Sequence, residues 1–175
     1  MKKLDGRVAV VTGASSGIGF GIAKELARQG MSIVMASQSA ERLARAADEV
    51  REAGADVLTV PTDVGKKPDI ERLAERTLER VGAVHVLVNN AGVYAPGYLW
   101  ELEDRDWEWV VDVNYWGTVN GIRIFMPHLL AQDEAHVVNV ASAGGLMTAP
   151  CHGPYTSTKH AIVGLSKGLR GELAI

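Results

Sequence analysis

Residues 8–12 read Val-Ala-Val-Val-Thr and run directly into Gly13-Ala14-Ser15-Ser16-Gly17-Ile18-Gly19. A short β-branched run that ends at glycines reads as a strand, and the nearly all-apolar run at 84–88 is what a strand with both sheet faces covered shows. Past the glycines, Ile18, Ile22 and Leu26 recur at four-residue spacing and predict a helix over 17–29 with one apolar stripe. A strand that turns through glycines straight into a helix is half of a βαβ unit. It leaves few folds open besides a layered α/β sheet.

The rest of the chain repeats the alternation. Strands are expected at 32–36, 56–60, 84–88 and 136–141, after the first at 7–12. Helices are expected at 40–53, with Leu43, Ala47 and Val50 inward and Gly54 as a stop, and at 70–81, closed by Gly82. Two separate helical stretches are expected near 103–113 and 119–130, and a last helix over 154–173 with Pro154 at its start. Five strands with short helical connections predict one α/β domain, a doubly wound parallel sheet spanning residues 1–175. The sequence contains no internal repeat or linker.

The glycine segment has a physical use beyond the turn. Gly13 permits the bend, while Gly17 and Gly19 let backbone approach a phosphate and let helix pack on strand. The helix start then offers free N–H groups and a positive dipole end to a pyrophosphate. Gly13, Ser15, Ser16, Gly17, Ile18 and Gly19 are therefore candidate dinucleotide ligands. The spacing is Gly-x-x-x-Gly-x-Gly, three residues rather than one between the first two glycines. After the second strand no acid stands at Ser37 or Gln38 to hold a ribose 2′-hydroxyl and repel a 2′-phosphate. Ser37 can donate to a phosphate and Arg42 lies close in sequence, so the charge pattern favours NADP over NAD.

About 140 residues further on stand Ser142 and Tyr155-Thr156-Ser157-Thr158-Lys159. On a helix, Tyr155 and Lys159 are i and i+4 and share a face. A free phenol titrates near pH ~10. A neighbouring ammonium favours a phenolate and so suits tyrosine to proton exchange at neutral pH. Ser142 follows the fifth strand, where its hydroxyl can orient a substrate oxygen. A dinucleotide loop and a proton donor in one fold imply hydride transfer between an alcohol and a carbonyl.

The net charge of −3 gives no reason to expect nucleic acid or an acidic membrane surface as partner. No stretch approaches transmembrane length, and the apolar run 8–11 is too short for a signal segment. Cys151 is the sole cysteine, so no intrachain disulfide forms and a reducing cytoplasm is the expected location. No metal is expected. Cys151 reads as a small pocket or packing residue rather than a nucleophile, and His152 as a solvated loop histidine with substrate contact as the alternative.

With these residues in view, the sequence resembles the short-chain dehydrogenase/reductase family over its whole length. The likeness rests on TGASSGIG at 12–19, Asp63-Val64, Asn89-Asn90-Ala91-Gly92, Asn114 in VNYWG, Ser142 in NVASAGG and YTSTK at 155–159. It implies a Rossmann-type fold in which Asp63 and Val64 contact the adenine, and Asn90, Ala91 and Gly92 steady the sheet and line the adenosine side. It implies Asn114 holding a water in a proton relay, Ser142 bonding the substrate oxygen, Tyr155 exchanging the proton and Lys159 holding the nicotinamide ribose. Read without the resemblance, Asp63 caps a turn and Asn90 is a satisfied turn residue.

Family members run to about 250 residues. The 175-residue sequence is thus expected to be a fragment, truncated after the Tyr155 helix, with further strands and a substrate-covering loop belonging to the longer chain. The fifth strand is then expected to present an apolar edge. The loops at 93–96 and 143–152 are the candidate substrate walls. Leu146, Met147, Ala149 and Pro150 suggest a small hydrophobic carbonyl or alcohol. Trp100, Trp107, Trp109 and Trp116 suggest packing plus an interface, and the resemblance implies a homodimer or homotetramer. A non-enzymatic dinucleotide sensor is the competing function, since fold alone does not separate the two. A sugar-nucleotide epimerase or dehydratase is a third reading, disfavoured by the glycine spacing and chain length.

Overall fold

A computed structural model describes residues 3–174. Its core is a five-stranded parallel sheet in the order β3-β2-β1-β4-β5. The strands are β1 (Val8–Thr12), β2 (Ser32–Ser37), β3 (Val57–Pro61), β4 (Val86–Asn89) and β5 (His136–Asn139). The helices are α1 (Gly17–Arg28), α2 (Ala40–Arg51), α3 (Lys67–Val81), α4 (Asp104–Val111), α5 (Gly117–Leu130) and α6 (Gly153–Glu172). The doubly wound α/β architecture is the one the alternation predicts.

Because every crossover is helical, both sheet faces are covered. Ala9, Val11, Ile33, Met35, Val86 and Val88 pack under α1 and α2. Val8, Val10, Val34, Ala36 and Leu87 pack under α3 and α5 with Ile70, Leu73, Phe125 and Leu129. All five residues of β1 are buried, as a central strand with two covered faces requires. Asn139 lies on the same side as Val137, and its amide donates to Ser166 at 3.0 Å, tying α6 to that second face. Its carbonyl accepts from Asn89 at 2.9 Å, so a polar bridge joins β4, β5 and α6.

Several local expectations change. In α1 the buried residues are Gly19, Ala23 and Ala27, not the bulky stripe. Ile22 and Leu26 are only partly buried, and Ile18 is 67% exposed. Small residues are what allow a helix to lie close on a sheet, and Ile18 is released to the cleft. The strands expected over 84–88 and 136–141 begin and end differently, at Val86–Asn89 and His136–Asn139. The stretches expected near 103–113 and 119–130 are not separate. A π-helical turn, Asp112–Trp116, joins α4 to α5 without a break. Gly82, read as a helix stop, ends α3 in the left-handed conformation at φ +72°. β5 forms one margin of the sheet, where Val138 is 44% exposed, so the predicted apolar edge is present among the described residues.

At the opposite end of the sheet from the glycines, His85 is buried and its Nδ1 accepts the backbone N–H of Val8 at 3.1 Å. Only a ring with an unprotonated Nδ1 makes this bond. Burial, then the nearby Arg7 guanidinium, push the His85 pKa below its ordinary 6.5, while Asp133 opposes them. The unfolded chain therefore binds the proton more readily. The contribution of His85 is intact above pH 6.5 and is lost as pH falls through and below that value. Urea midpoints are expected to hold steady from about pH 8 to 7. They should drop between about pH 6.5 and 5, the unfolding free energy falling by less than about 1.4 kcal/mol per pH unit. His85→Gln, which keeps an acceptor and cannot titrate, should flatten that drop; an equally steep fall in the variant would assign it to other groups.

Candidate active site

β1 and β4 are neighbours although three strands apart in chain order, and their C-terminal ends open the crevice of the fold. Thr12 closes its floor. Its hydroxyl accepts the N–H of Asn90 at 3.0 Å and of Ala91 at 3.1 Å, and donates to the Val88 carbonyl at 3.3 Å. Asn90 Nδ2 donates to the Thr12 carbonyl at 2.9 Å and, less closely, to the Gly13 carbonyl at 3.4 Å. The Asn90 side chain thus braces the glycine loop from below. Nothing in local periodicity marks Thr12; its position directly ahead of Gly13 was the available signal.

The glycine loop is a cradle that side chains would fill. Gly13 takes φ +63°, and a Cβ there would stand 2.9 Å from the Ala91 Cα and 3.1 Å from its nitrogen. Gly19 is buried with the Gly13 carbonyl 2.5 Å from where its Cβ would be. Ser16 precedes α1 and makes no side-chain cap, and no acid occupies the first turn. The earliest N–H bonded within the helix is that of Phe20, to Ser16. The N–H groups of Gly17, Ile18 and Gly19 are left for an anion. This donor set and cradle fit the pyrophosphate of a dinucleotide.

The crevice in front of the loop has a volume of about 380 Å³, within the ordinary range for a ligand cleft. Its wall brings together Gly13, Ser15, Ser16, Ile18, Ser37, Gln38, Arg42, Asp63, Val64, Asn90, Ala91 and Gly92. Of the candidate loop glycines, Gly17 and Gly19 stand off the wall and shape the turn. Thr62, Val93 and Val113 also line it; of these, Val93 was expected on the substrate side. Ser15 and Ser37 hydroxyls lie 2.9 Å apart, joining the ends of β1 and β2. Asp63 does cap its turn: Oδ1 accepts the Gly65 N–H at 3.1 Å, while Lys66 stands 3.7 Å from Oδ2.

Beyond Gly92 the cleft meets the Tyr/Lys helix. A Cβ on Gly92 would lie 3.4 Å from Asn114 Oδ1 and 3.6 Å from Lys159 Nζ. Asn114 sits inside the π-helical turn, 1% exposed. Its Oδ1 accepts the Val93 N–H at 2.7 Å, and its Nδ2 donates to the Val93 carbonyl at 3.0 Å and to Thr158 Oγ1 at 3.2 Å. Both ends of the amide are engaged. The Asn114 backbone carbonyl accepts the Thr118 hydroxyl at 3.0 Å. π turns of this kind recur at functional sites.

Ser142 ends the loop after β5 and caps a short 3₁₀ turn, Ala143–Gly145, its Oγ accepting the Gly144 N–H at 3.0 Å. The hydroxyl hydrogen remains to be donated outward. Gly144 lies between Ser142 and Tyr155: a Cβ there would come 3.2 Å from Tyr155 Cε1 and 3.5 Å from Ser142 Oγ. Lys159 is buried, donates to the Val140 carbonyl at 2.8 Å, and places Nζ 5.7 Å from the centre of the Tyr155 ring. Burial lowers the Lys159 pKa from its ordinary value. Of the expected substrate walls, Leu146 and Met147 are 77% and 67% exposed, and the loop at 93–96 lies against Tyr155 through Tyr94. Among the described residues no His, Cys, Asp and Glu cluster could hold a metal, and no helix is long and apolar enough to cross a membrane.

The model of the short chain dehydrogenase family matches residues 7–175. A Mycobacterium tuberculosis protein named as an oxidoreductase, SadH, is 33% identical over 175 residues, which cover 100% of this chain and 63% of SadH. The chain therefore spans somewhat less than two thirds of that relative's length. A short-chain dehydrogenase/reductase from Burkholderia phymatum, solved with NAD, is 46% identical at a TM-score of 0.95 and is matched over 98% of this chain and 62% of its own. An alcohol dehydrogenase from the archaeon Thermococcus sibiricus, complexed with 5-hydroxy-NADP, is 32% identical at a TM-score of 0.91, over 96% and 72%.

Proposed function

This chain belongs to the short-chain dehydrogenase family, and from that membership we propose that it interconverts an alcohol and a ketone or aldehyde with a nicotinamide dinucleotide as partner. The carrying observation is that Ser142 and Tyr155 flank Gly144 while Lys159 and Asn114 meet at Gly92, at the end of the glycine-lined cleft. When bound, the dinucleotide supplies or takes up the hydride. Ser142 donates its free hydroxyl hydrogen to the substrate oxygen. In the reducing direction Tyr155 gives that oxygen its proton, and in the oxidising direction the phenolate removes it. Lys159 has one N–H on the Val140 carbonyl and two left, for a ribose hydroxyl and for the tyrosine side. In this reading Asn114 holds a water that replenishes the proton.

The phosphate end favours NADP. Ser15, Ser37 and Arg42 share the cleft wall, and no carboxylate stands at Ser37 or Gln38. Exposed Leu146 and Met147 suit a small hydrophobic substrate, and exposed Trp109 and Trp116 support a homodimer or homotetramer. A cytoplasmic location accords with the single cysteine.

The test is titration of the protein with NADPH and NADH by nicotinamide fluorescence. Saturable binding of both is expected, with NADPH tighter. Arg42→Ala should weaken NADPH by about tenfold, the worth of about 1.4 kcal/mol of charge-assisted contact, and leave NADH within about twofold. Tighter NADH would overturn the NADP preference, and absence of any binding would overturn the functional proposal.

A further inference from the structure

Tyr94 and His152 meet beside Tyr155. Tyr94 packs edge-on to Tyr155, ring centres 5.5 Å apart at 82°, and lies 5.0 Å from the His152 ring at 39°. Its hydroxyl donates to the Cys151 carbonyl over 3.4 Å, and the Gly97 N–H donates to the same carbonyl at 3.2 Å. Cys151 reaches this position at φ +63°, in the left-handed region, a strain of about 1–3 kcal/mol for a residue with a side chain. His152 is held in turn by a bond between Nδ1 and the Pro150 carbonyl at 2.7 Å. The loop after β4 and the loop before α6 are thus fastened together around Tyr94. Even so, Tyr94 is 40% exposed.

A substrate oxygen bonded to Tyr155 and Ser142 must carry its carbon substituents along the groups that flank the Tyr155 ring. The loop at 143–152 offers Leu146 and Met147, exposed side chains that adapt to shape. Directly against the Tyr155 ring stands Tyr94, a flat ring already fixed by Tyr155, His152 and Cys151. Stacking on it costs the protein little side-chain entropy. Aromatic pairs gain about 0.5–1.5 kcal/mol beyond buried area.

We propose that Tyr94 is the specificity-determining residue of this site, a fixed aromatic platform on which an aryl or other flat substituent of the carbonyl substrate stacks. The inference rests on the carbonyl–alcohol function proposed above. It assigns Tyr94 a role in choosing the substrate and none in the proton transfer itself.

The test compares acetophenone with cyclohexyl methyl ketone, which differ in a flat against a puckered ring of similar size, using the protein with NADPH. The reading is the ratio of the two KM values, with the NADPH Kd from nicotinamide fluorescence as the check on folding. Tyr94→Leu is expected to shrink the acetophenone preference by about three- to tenfold. Tyr94→Phe, which keeps the ring, should preserve it, and kcat for the two ketones should move in parallel. An unchanged ratio in Tyr94→Leu overturns the inference, as does an equal loss in Tyr94→Phe, which would assign the effect to the hydroxyl. NADPH binding without turnover of either ketone, or without a preference for the aryl one, overturns it while leaving the dinucleotide site standing. Absence of NADPH binding removes the functional proposal and this inference together.

Discussion

Replacing Tyr155 with phenylalanine should lower turnover by about 10²- to 10⁴-fold while the dinucleotide Kd moves by less than about twofold. The expected loss corresponds to about 3–5 kcal/mol of transition-state stabilisation. Phenylalanine keeps the ring that Tyr94 packs against edge-on and that Lys159 Nζ faces at 5.7 Å, so the surrounding packing has no reason to change. What disappears is the hydroxyl to which the proposed function gives the proton exchange with the substrate oxygen. Ser142 cannot replace it, because its oxygen already accepts the Gly144 N–H and a serine hydroxyl is a far weaker acid than a phenol. The measurement is steady-state turnover beside a nicotinamide fluorescence titration. Retained turnover would remove Tyr155 from the chemistry. A dinucleotide sensor would show no dependence on the substitution at all.

Gly13→Val should abolish measurable dinucleotide binding and also destabilise the fold. A Cβ at this position would stand 2.8 Å from Asn90 Nδ2, 2.9 Å from the Ala91 Cα and 3.1 Å from the Ala91 nitrogen. Two of these atoms are backbone and cannot swing aside. The residue also sits at φ +63°, where a β-branched side chain is strongly disfavoured. Strain and overpacking of about 1–3 kcal/mol each predict a fall in thermal midpoint of about 5–15 °C. Asn90 would have to give way, and it holds the Thr12 carbonyl, so the floor of the cleft moves with the loop. Gly168→Ala is the control. It lies in α6 with open space where its Cβ would be, so it should leave the midpoint unchanged or raise it slightly. Differential scanning calorimetry of the two variants reads the stability, and NADPH titration reads the site. Normal binding by Gly13→Val would show that the loop does not cradle the ligand.

The order of strands and helices was legible because each short apolar run and each 3.6-residue period is a local signal. The glycine loop was legible because a strand, a turn needing φ > 0 and a helix start are contiguous in sequence. The Tyr155–Lys159 pair was legible for the same reason, as i and i+4 on one helix. Where local signals competed with packing, the sequence misled. Ile18, Ile22 and Leu26 look like the inward stripe of α1, yet Gly19, Ala23 and Ala27 are buried because the helix approaches the sheet closely. The break expected between 113 and 119 is a π-helical turn instead, held where Asn114 finds the Val93 backbone and the Thr158 hydroxyl.

By itself, then, the sequence determined the parallel α/β layering, the glycine turn that opens α1 and the i, i+4 placement of Tyr155 and Lys159, since each depends on neighbours within a few positions of the chain. Tertiary structure alone decided that Thr12 and Asn90 lock β1 to β4 across 78 positions, and that Asn114 is buried with its amide fully engaged. It also decided that Tyr94, 61 positions before Tyr155 (155 − 94), leans on that ring while the strained Cys151 carbonyl holds it. These contacts are formed by groups brought together only when the sheet closes. Hydrogen bonds and ring packing between distant segments have no periodicity to betray them in a linear chain.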